Sequence, residues 1–228
     1  MYTEPHPKLK FILRIIFMSM AFYGVADHLL RQSLSGFINA ISYFTILSNI
    51  MCFLVLLYAI IRRNKVGPKF NGVYGGALLS ITLTFIVYNF VLANTDFTMR
   101  AMKEVKVDEG DIFVHYLVPL IMWIDFVWIM PHRVFKKEHV LKWLVIPVSY
   151  FVIIMTKANF YDYYKVPKAF KRYPYDFLDY AVNGIPYLVS FIGVFTLLCI
   201  GLGLIICMLD FVCGMFYTRK VCAKAKQT

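Results

Sequence analysis

Apolar residues fall into six long runs, separated by short clusters of polar and charged positions. The runs cover about 9–29, 38–61, 73–94, 112–131, 140–156 and 184–209. A helix needs ~20 residues to cross the hydrocarbon core of a bilayer, and all but the fifth run reach that length. The fifth is the shortest and contains Pro147. Pro119, Pro147 and Pro186 lie inside or near the predicted helix ends, where membrane helices tolerate proline better than soluble ones do. The pattern predicts an all-α fold, a single integral membrane domain over 1–228 built from six transmembrane helices.

Composition agrees with that reading. Hydrophobic residues make up 60% of the chain and charged residues 16%, against about one quarter charged in an ordinary soluble domain. The stretch from Met1 to Lys10 leads into an apolar run too long for a signal-peptide core, with no small-residue cleavage site after it, so it reads as a retained first span. Cys52, Cys199, Cys207, Cys213 and Cys222 are odd in number and show no CxxC or Cys/His ligand spacing, which predicts reduced packing residues, no metal site and no cofactor. The net charge of +11 does not point to nucleic acid, because the bases flank apolar runs instead of alternating with aromatics in a patch. Membrane lipids are the expected neighbours.

Basic residues also orient the chain. Lys8, Lys10, Arg14, then Arg62, Arg63, Lys65, Lys69, then Arg133, Lys136, Lys137, Lys142, and finally Arg219, Lys220, Lys224, Lys226 fall on one side. The other side has Arg31, then Arg100, Lys103, Lys106, then Lys157, Lys165, Lys168, Lys171, Arg172. The richer side is expected in the cytoplasm, giving cytoplasmic N- and C-termini. Loops 95–111 and 157–183 are then external. The second of these is rich in aromatics, among them Tyr161, Tyr173, Tyr175 and Tyr180, and is expected to lie along the outer membrane surface. The sharper alternative is a lid over a ligand.

Polar groups within spans are costly and mark either function or helix–helix hydrogen bonds. In the second run, Ser42, Thr45, Ser48 and Asn49 recur at spacings of three and four, one face of a helix. They form either a packing stripe or a pocket wall. In the fourth run, His115 sits about one turn inside the external end and Asp125 near the middle. An unpaired carboxylate there costs about 2.5–3.5 kcal/mol on insertion scales, so Asp125 must face the bundle and be protonated or paired. Thr45 and His115 fall ~10 Å and ~6 Å into parallel helices at 1.5 Å per residue. Asn89 and Asn94 lie near the same end of the third run, and Asp27 and His28 end the first. Polarity thus gathers in the outer half, a distribution unlike that of a through-channel.

The segments SYFTILSNIMCFL, HYLVPLIMWIDFV and YPYDFLDYAVNG, in that order, resemble bacterial members of the androgen-induced-protein (FAR-17a-like) superfamily across most of the chain. The resemblance implies a multi-pass protein of a bacterial plasma membrane. The animal relatives are membrane threonine hydrolases that cleave fatty-acid esters of hydroxy fatty acids, and by that likeness Thr45 would be the nucleophile and His115 its partner. Ser42, Asn49, Asn89 and Asp125 belong to the surrounding pattern as candidate binding residues. A threonine hydroxyl needs a base to take its proton, and a third group normally orients that base; Asp27, Asn49 and Asn89 are the candidates. The expected partner is a hydrophobic ester. The alternative from another class is a non-catalytic protein that binds or moves a small lipophilic ligand.

Overall fold

The computed structural model describes residues 7–30, 32–92, 109–164 and 166–225. Asn94 and most of the 95–111 loop lie outside the described residues, as do Arg31 and Lys165. The described residues contain helices and no strand. Six helices are long and apolar enough to cross a membrane: Pro7–Leu30, Phe44–Ile61, Pro68–Leu92, Glu109–Trp128, Lys137–Tyr161 and Ile185–Tyr217. The protein is an all-α, multi-pass bundle of six spans.

The third span is the centre of the bundle. It packs against the second, fourth, fifth and sixth, and every residue from Tyr74 to Thr84 is buried. Its small residues Gly75, Gly76, Ala77, Ser80, Thr82 and Thr84 let neighbouring helices approach closely. Elsewhere large apolar side chains face outward, as Ile12, Val152 and Leu197 do at 52%, 54% and 70% exposure, the condition expected when lipid replaces water around the bundle.

Two span boundaries differ from those read off hydropathy, and for local reasons. The second apolar run is not one helix. Residues Leu34–Ile41 form a short helix whose first turn is capped by Ser33, with its Oγ accepting the Gly36 N–H at 3.2 Å. That helix stops at Ser42, Tyr43 is extended, and the second span starts at Phe44. Ser42 is therefore not on the Thr45 face. The fifth span is longer than its apolar run: it starts at Lys137, passes a break at Leu144, and continues as helix to Tyr163. Lys157, expected in the external loop, is part of that helix.

The fifth span approaches the third through glycine. Trp143 lies across Gly72, Gly75 and Gly76, and its indole N–H donates to the Gly72 carbonyl at 2.7 Å. A Cβ on Gly75 would fall 2.1 Å from the Trp143 ring. Because the hydrogen bond pins the indole, Gly75→Ala should destabilise the bundle by about 1–3 kcal/mol, the usual range for overpacking. Gly67→Ala, whose new methyl meets open space, is the control. A melting temperature for Gly75→Ala equal to that of the control would show that the two helices are not in this close contact.

The expectation that polarity gathers at the Thr45 end of the bundle is corrected by two buried carboxylates toward the other end. Arg14, 1% exposed within the first span, places Nε 2.7 Å and Nη2 3.1 Å from the two carboxylate oxygens of Asp125. Its Nη1 donates to Asn64 Oδ1 at 2.7 Å, in the turn after the second span. Asp125 is three residues from the end of its helix at Trp128, and thus near the inner end of the bundle rather than at its middle. In the sixth span, buried Asp210 accepts the backbone N–H groups of Arg133, Val134 and Phe135 at 3.0, 2.8 and 2.9 Å. It fixes the turn between the fourth and fifth spans, satisfying amides that a connection at a helix end leaves open.

Orientation in the bilayer is testable independently. Reporters fused after Lys69, after Lys137 and at Thr228 should read as cytoplasmic, and those inserted within 100–108 or 165–172 as external, because the bases are more numerous on the first side. A cytoplasmic signal from 100–108 would reverse the assignment.

Candidate functional site

The second and fourth spans meet where their backbones depart from ideal geometry. The fourth span contains a π turn over Phe113–Leu117, in which the Val118 N–H reaches back to the Phe113 carbonyl. The next bond of that pattern would come from residue 119 to the Val114 carbonyl, but Pro119 has no N–H to give. Asn49 supplies the donor. Its Nδ2 reaches the Val114 carbonyl at 3.1 Å and the Thr45 carbonyl at 2.8 Å. Asn49 thereby ties the turn that carries Thr45 to the residue beside His115. Ser48 adds a bond to Thr84 Oγ1 of the third span at 2.8 Å.

Thr45 and His115 are both buried, at 8% and 7% exposure. Thr45 Oγ1 lies 3.5 Å from His115 Nε2. That is the long limit of a hydrogen bond, and resting pairs of this kind often tighten only around a substrate. The other ring nitrogen, Nδ1, is 3.1 Å from the Asp111 carbonyl. A carbonyl can only accept, so Nδ1 carries the hydrogen, and in the neutral ring Nε2 presents its lone pair to the Thr45 hydroxyl. Tyr88 stacks on the imidazole with centroids 3.7 Å apart and planes 19° from parallel, holding the ring plane. The orienting group is thus Asp111 through its backbone, with its carboxylate Oδ1 3.9 Å from Nδ1.

Asp111 also meets the first span. His28 Nε2 lies 3.2 Å from Asp111 Oδ1, and His28 Nδ1 lies 3.0 Å from the Gly24 carbonyl. Both nitrogens of His28 thus face oxygen atoms.

Two cavities converge on Thr45. One, of about 580 Å³, is polar and lies on the His115 side, with His28, Gln32, Asn39, Asp111 and Lys171 in its wall. The other, of about 150 Å³, is walled almost wholly by apolar side chains such as Val87, Val148, Phe151, Phe191 and Phe195. It exists because the sixth span packs on the third span and on Lys137–Trp143 but makes little contact with Val145–Tyr163, leaving a wedge between the fifth and sixth spans. Thr45, Tyr88, Leu92 and Tyr175 line both spaces.

The aromatic loop after the fifth span packs onto the bundle. Tyr173, Tyr175 and Leu178 are buried and form a small core with Ile154 and Ala158 of the fifth span. Asn39 and the segment Ala169–Lys171 lock together through Asn39 Nδ2 to the Ala169 carbonyl and the Lys171 N–H to Asn39 Oδ1, at 2.9 and 2.8 Å. The loop covers the site, and Tyr175 reaches Thr45 itself, its hydroxyl accepting the Thr45 N–H at 3.4 Å.

Of the residues singled out from sequence, Thr45 and His115 are brought together. Ser42, Asn49, Asn89 and Asp125 line neither cavity. Ser42 Oγ accepts Lys157 Nζ at 3.1 Å and closes the short helix through the Ile38 carbonyl. Asn89 is held at the periphery by Phe85 and the Tyr116 hydroxyl, and Asp125 belongs to Arg14. Tyr88, Asp111 and Tyr175 were not recognised as site residues, although Asp111 stands one helical turn before His115, a spacing that could have marked it. No metal-binding cluster is present among the described residues. No protein-family model, curated protein or solved structure matches this chain.

Proposed function

We propose that this membrane protein hydrolyses a lipid ester, with Thr45 as nucleophile and His115 as general base. The observation that carries the reading is the buried pair, with His115 Nε2 3.5 Å from Thr45 Oγ1 and Nδ1 turned to the Asp111 carbonyl, where an apolar cavity meets a polar one. In this reading the acyl chain lies in the wedge between the fifth and sixth spans, and water and the departing alcohol use the polar side. Apolar walls with a few convergent polar groups are the usual composition of a small-molecule site. The resemblance of the three sequence segments to bacterial members of a superfamily whose animal relatives are membrane threonine hydrolases supports the same chemistry, and with it a bacterial plasma membrane location.

The reaction balances without a cofactor. Thr45 Oγ attacks the ester carbonyl carbon as His115 Nε2 takes its proton. The tetrahedral species then expels the alkoxide, which receives that proton, leaving an acyl-threonine. Water attacks the acyl carbon with His115 again as base, releasing the acid and restoring Thr45. The test is turnover of long-chain esters by detergent-purified protein, together with labelling by a fluorophosphonate. Labelling of the wild type that is lost in Thr45→Ala is the expected result. A well-folded preparation that binds long-chain esters but hydrolyses none would favour the lipophilic-ligand reading instead.

A further inference from the structure

Thr45 is the second residue of its helix and the Thr45 N–H is among the amides that a helix start leaves without an intrahelical partner. It finds one in the Tyr175 hydroxyl. A phenol that accepts one hydrogen bond still has its own hydrogen to donate, and the Tyr175 hydroxyl also interacts with the Thr45 side chain, the group that would carry the acyl carbon. Its ring is fixed by stacking on Phe177, with centroids 5.0 Å apart and planes 10° from parallel, and by an edge contact with Tyr43 at 5.2 Å. The hydroxyl therefore sits at the junction of the two cavities, against the backbone of Thr45, on a ring that neighbouring aromatics hold in place.

We propose that the Tyr175 hydroxyl, together with the Thr45 N–H, binds the oxyanion that forms when Thr45 attacks an ester carbonyl. This rests on the hydrolase reading and adds to it a catalytic residue from the covering loop. When the Thr45 Oγ–carbon bond forms, the carbonyl π pair moves onto oxygen, and that charge needs donors already in place. The Thr45 N–H turns from the phenol oxygen to the oxyanion, and the Tyr175 O–H donates to it alongside. When the carbon–alkoxide bond breaks, the pair returns to the carbonyl and the two donors revert to their resting bond. Tyr175 keeps its proton throughout, because burial pushes the phenol up to about 12, so it is a donor over the whole range in which neutral His115 can act as base. Fixed donors of this kind in a water-poor site contribute more than the same groups would in water.

Tyr175→Phe keeps the ring and removes the donor. Its kcat on a long-chain ester should fall on the order of 10²–10³-fold, as for loss of one oxyanion donor elsewhere, with little change in KM. Binding of a trifluoromethyl ketone, which mimics the tetrahedral species on Thr45, should weaken in parallel. Because the phenol also shapes the loop, the companion experiment places fluorotyrosines of graded acidity at position 175, which keep the hydroxyl and nearly the same shape; kcat should change progressively with ring acidity. An unchanged kcat in Tyr175→Phe, or a raised KM alone, would make Tyr175 only a cavity wall while leaving the hydrolase reading intact. Should Thr45→Ala be as active as the wild type, the reading itself fails and the oxyanion assignment fails with it.

Discussion

Thr45→Ala should abolish ester hydrolysis, and Thr45→Ser should retain measurable turnover. Serine keeps the hydroxyl that faces His115 Nε2 and loses only a methyl, whereas alanine and valine leave nothing to acylate. Nucleophile losses in comparable hydrolytic machinery reduce kcat on the order of 10⁴–10⁶-fold. His115→Ala should fall by a similar factor, since the hydroxyl is a weak nucleophile without its base. The double variant should be no worse than either single one, because the two residues act as a unit. Activity should be lost on acidification, where imidazole takes up a proton and can no longer accept one from Thr45. Each variant needs a monodisperse size-exclusion profile, since Thr45 also contributes its carbonyl to Asn49 and Ser48. Wild-type turnover by a well-folded Thr45→Ala protein would remove Thr45 from the chemistry.

The largest loss of stability should follow from Asp125→Leu. The carboxylate takes two hydrogen bonds from Arg14, and both side chains are almost fully buried. Removing one partner of such a pair leaves an uncompensated charge and costs about 3–5 kcal/mol. From sequence alone, Asp125→Asn would be expected to keep most of the folding, because an amide still hydrogen-bonds. The arginine changes that expectation. An asparagine turns an NH₂ toward a guanidinium that can only donate, so Asp125→Asn should also lose stability, though less than the leucine variant. The double variant Arg14→Met/Asp125→Leu should recover much of the loss, as apolar replacement of a whole buried pair often does. Thermal denaturation in detergent, with expression level as a second measure, checks the order. Wild-type stability in Asp125→Leu would mean that Arg14 and Asp125 do not pair. Because Asp125 lies ten residues from His115, ~15 Å along a helix, any Asp125 variant that folds should keep the fluorophosphonate labelling of Thr45.

What the sequence determined by itself is the solvent and the number of helices. Six apolar runs of spanning length leave few alternatives once backbone polar groups must be satisfied within each segment. It also marked Thr45 and His115, since polar groups amid apolar ones are costly enough to need a reason. Helix ends were less legible: hydropathy is continuous across Ser42 and Tyr43, and only backbone geometry there separates the short helix from the second span. Partners were illegible. Arg14 counted as a flanking base because a residue near a span's start reads as solvated, yet tertiary packing buries it against Asp125, 111 positions away. The same holds for Tyr175, whose aromatic loop has the composition of a headgroup-facing segment but covers the site because the outer ends of the fifth and sixth spans diverge and leave a wedge to fill. For Asn49, spacing left a packing stripe and a pocket wall both open, and only the structure shows a π turn followed by proline that frees the Val114 carbonyl for it to satisfy. Period and composition specify which surface a residue prefers; only the packed structure decides which distant group meets it there.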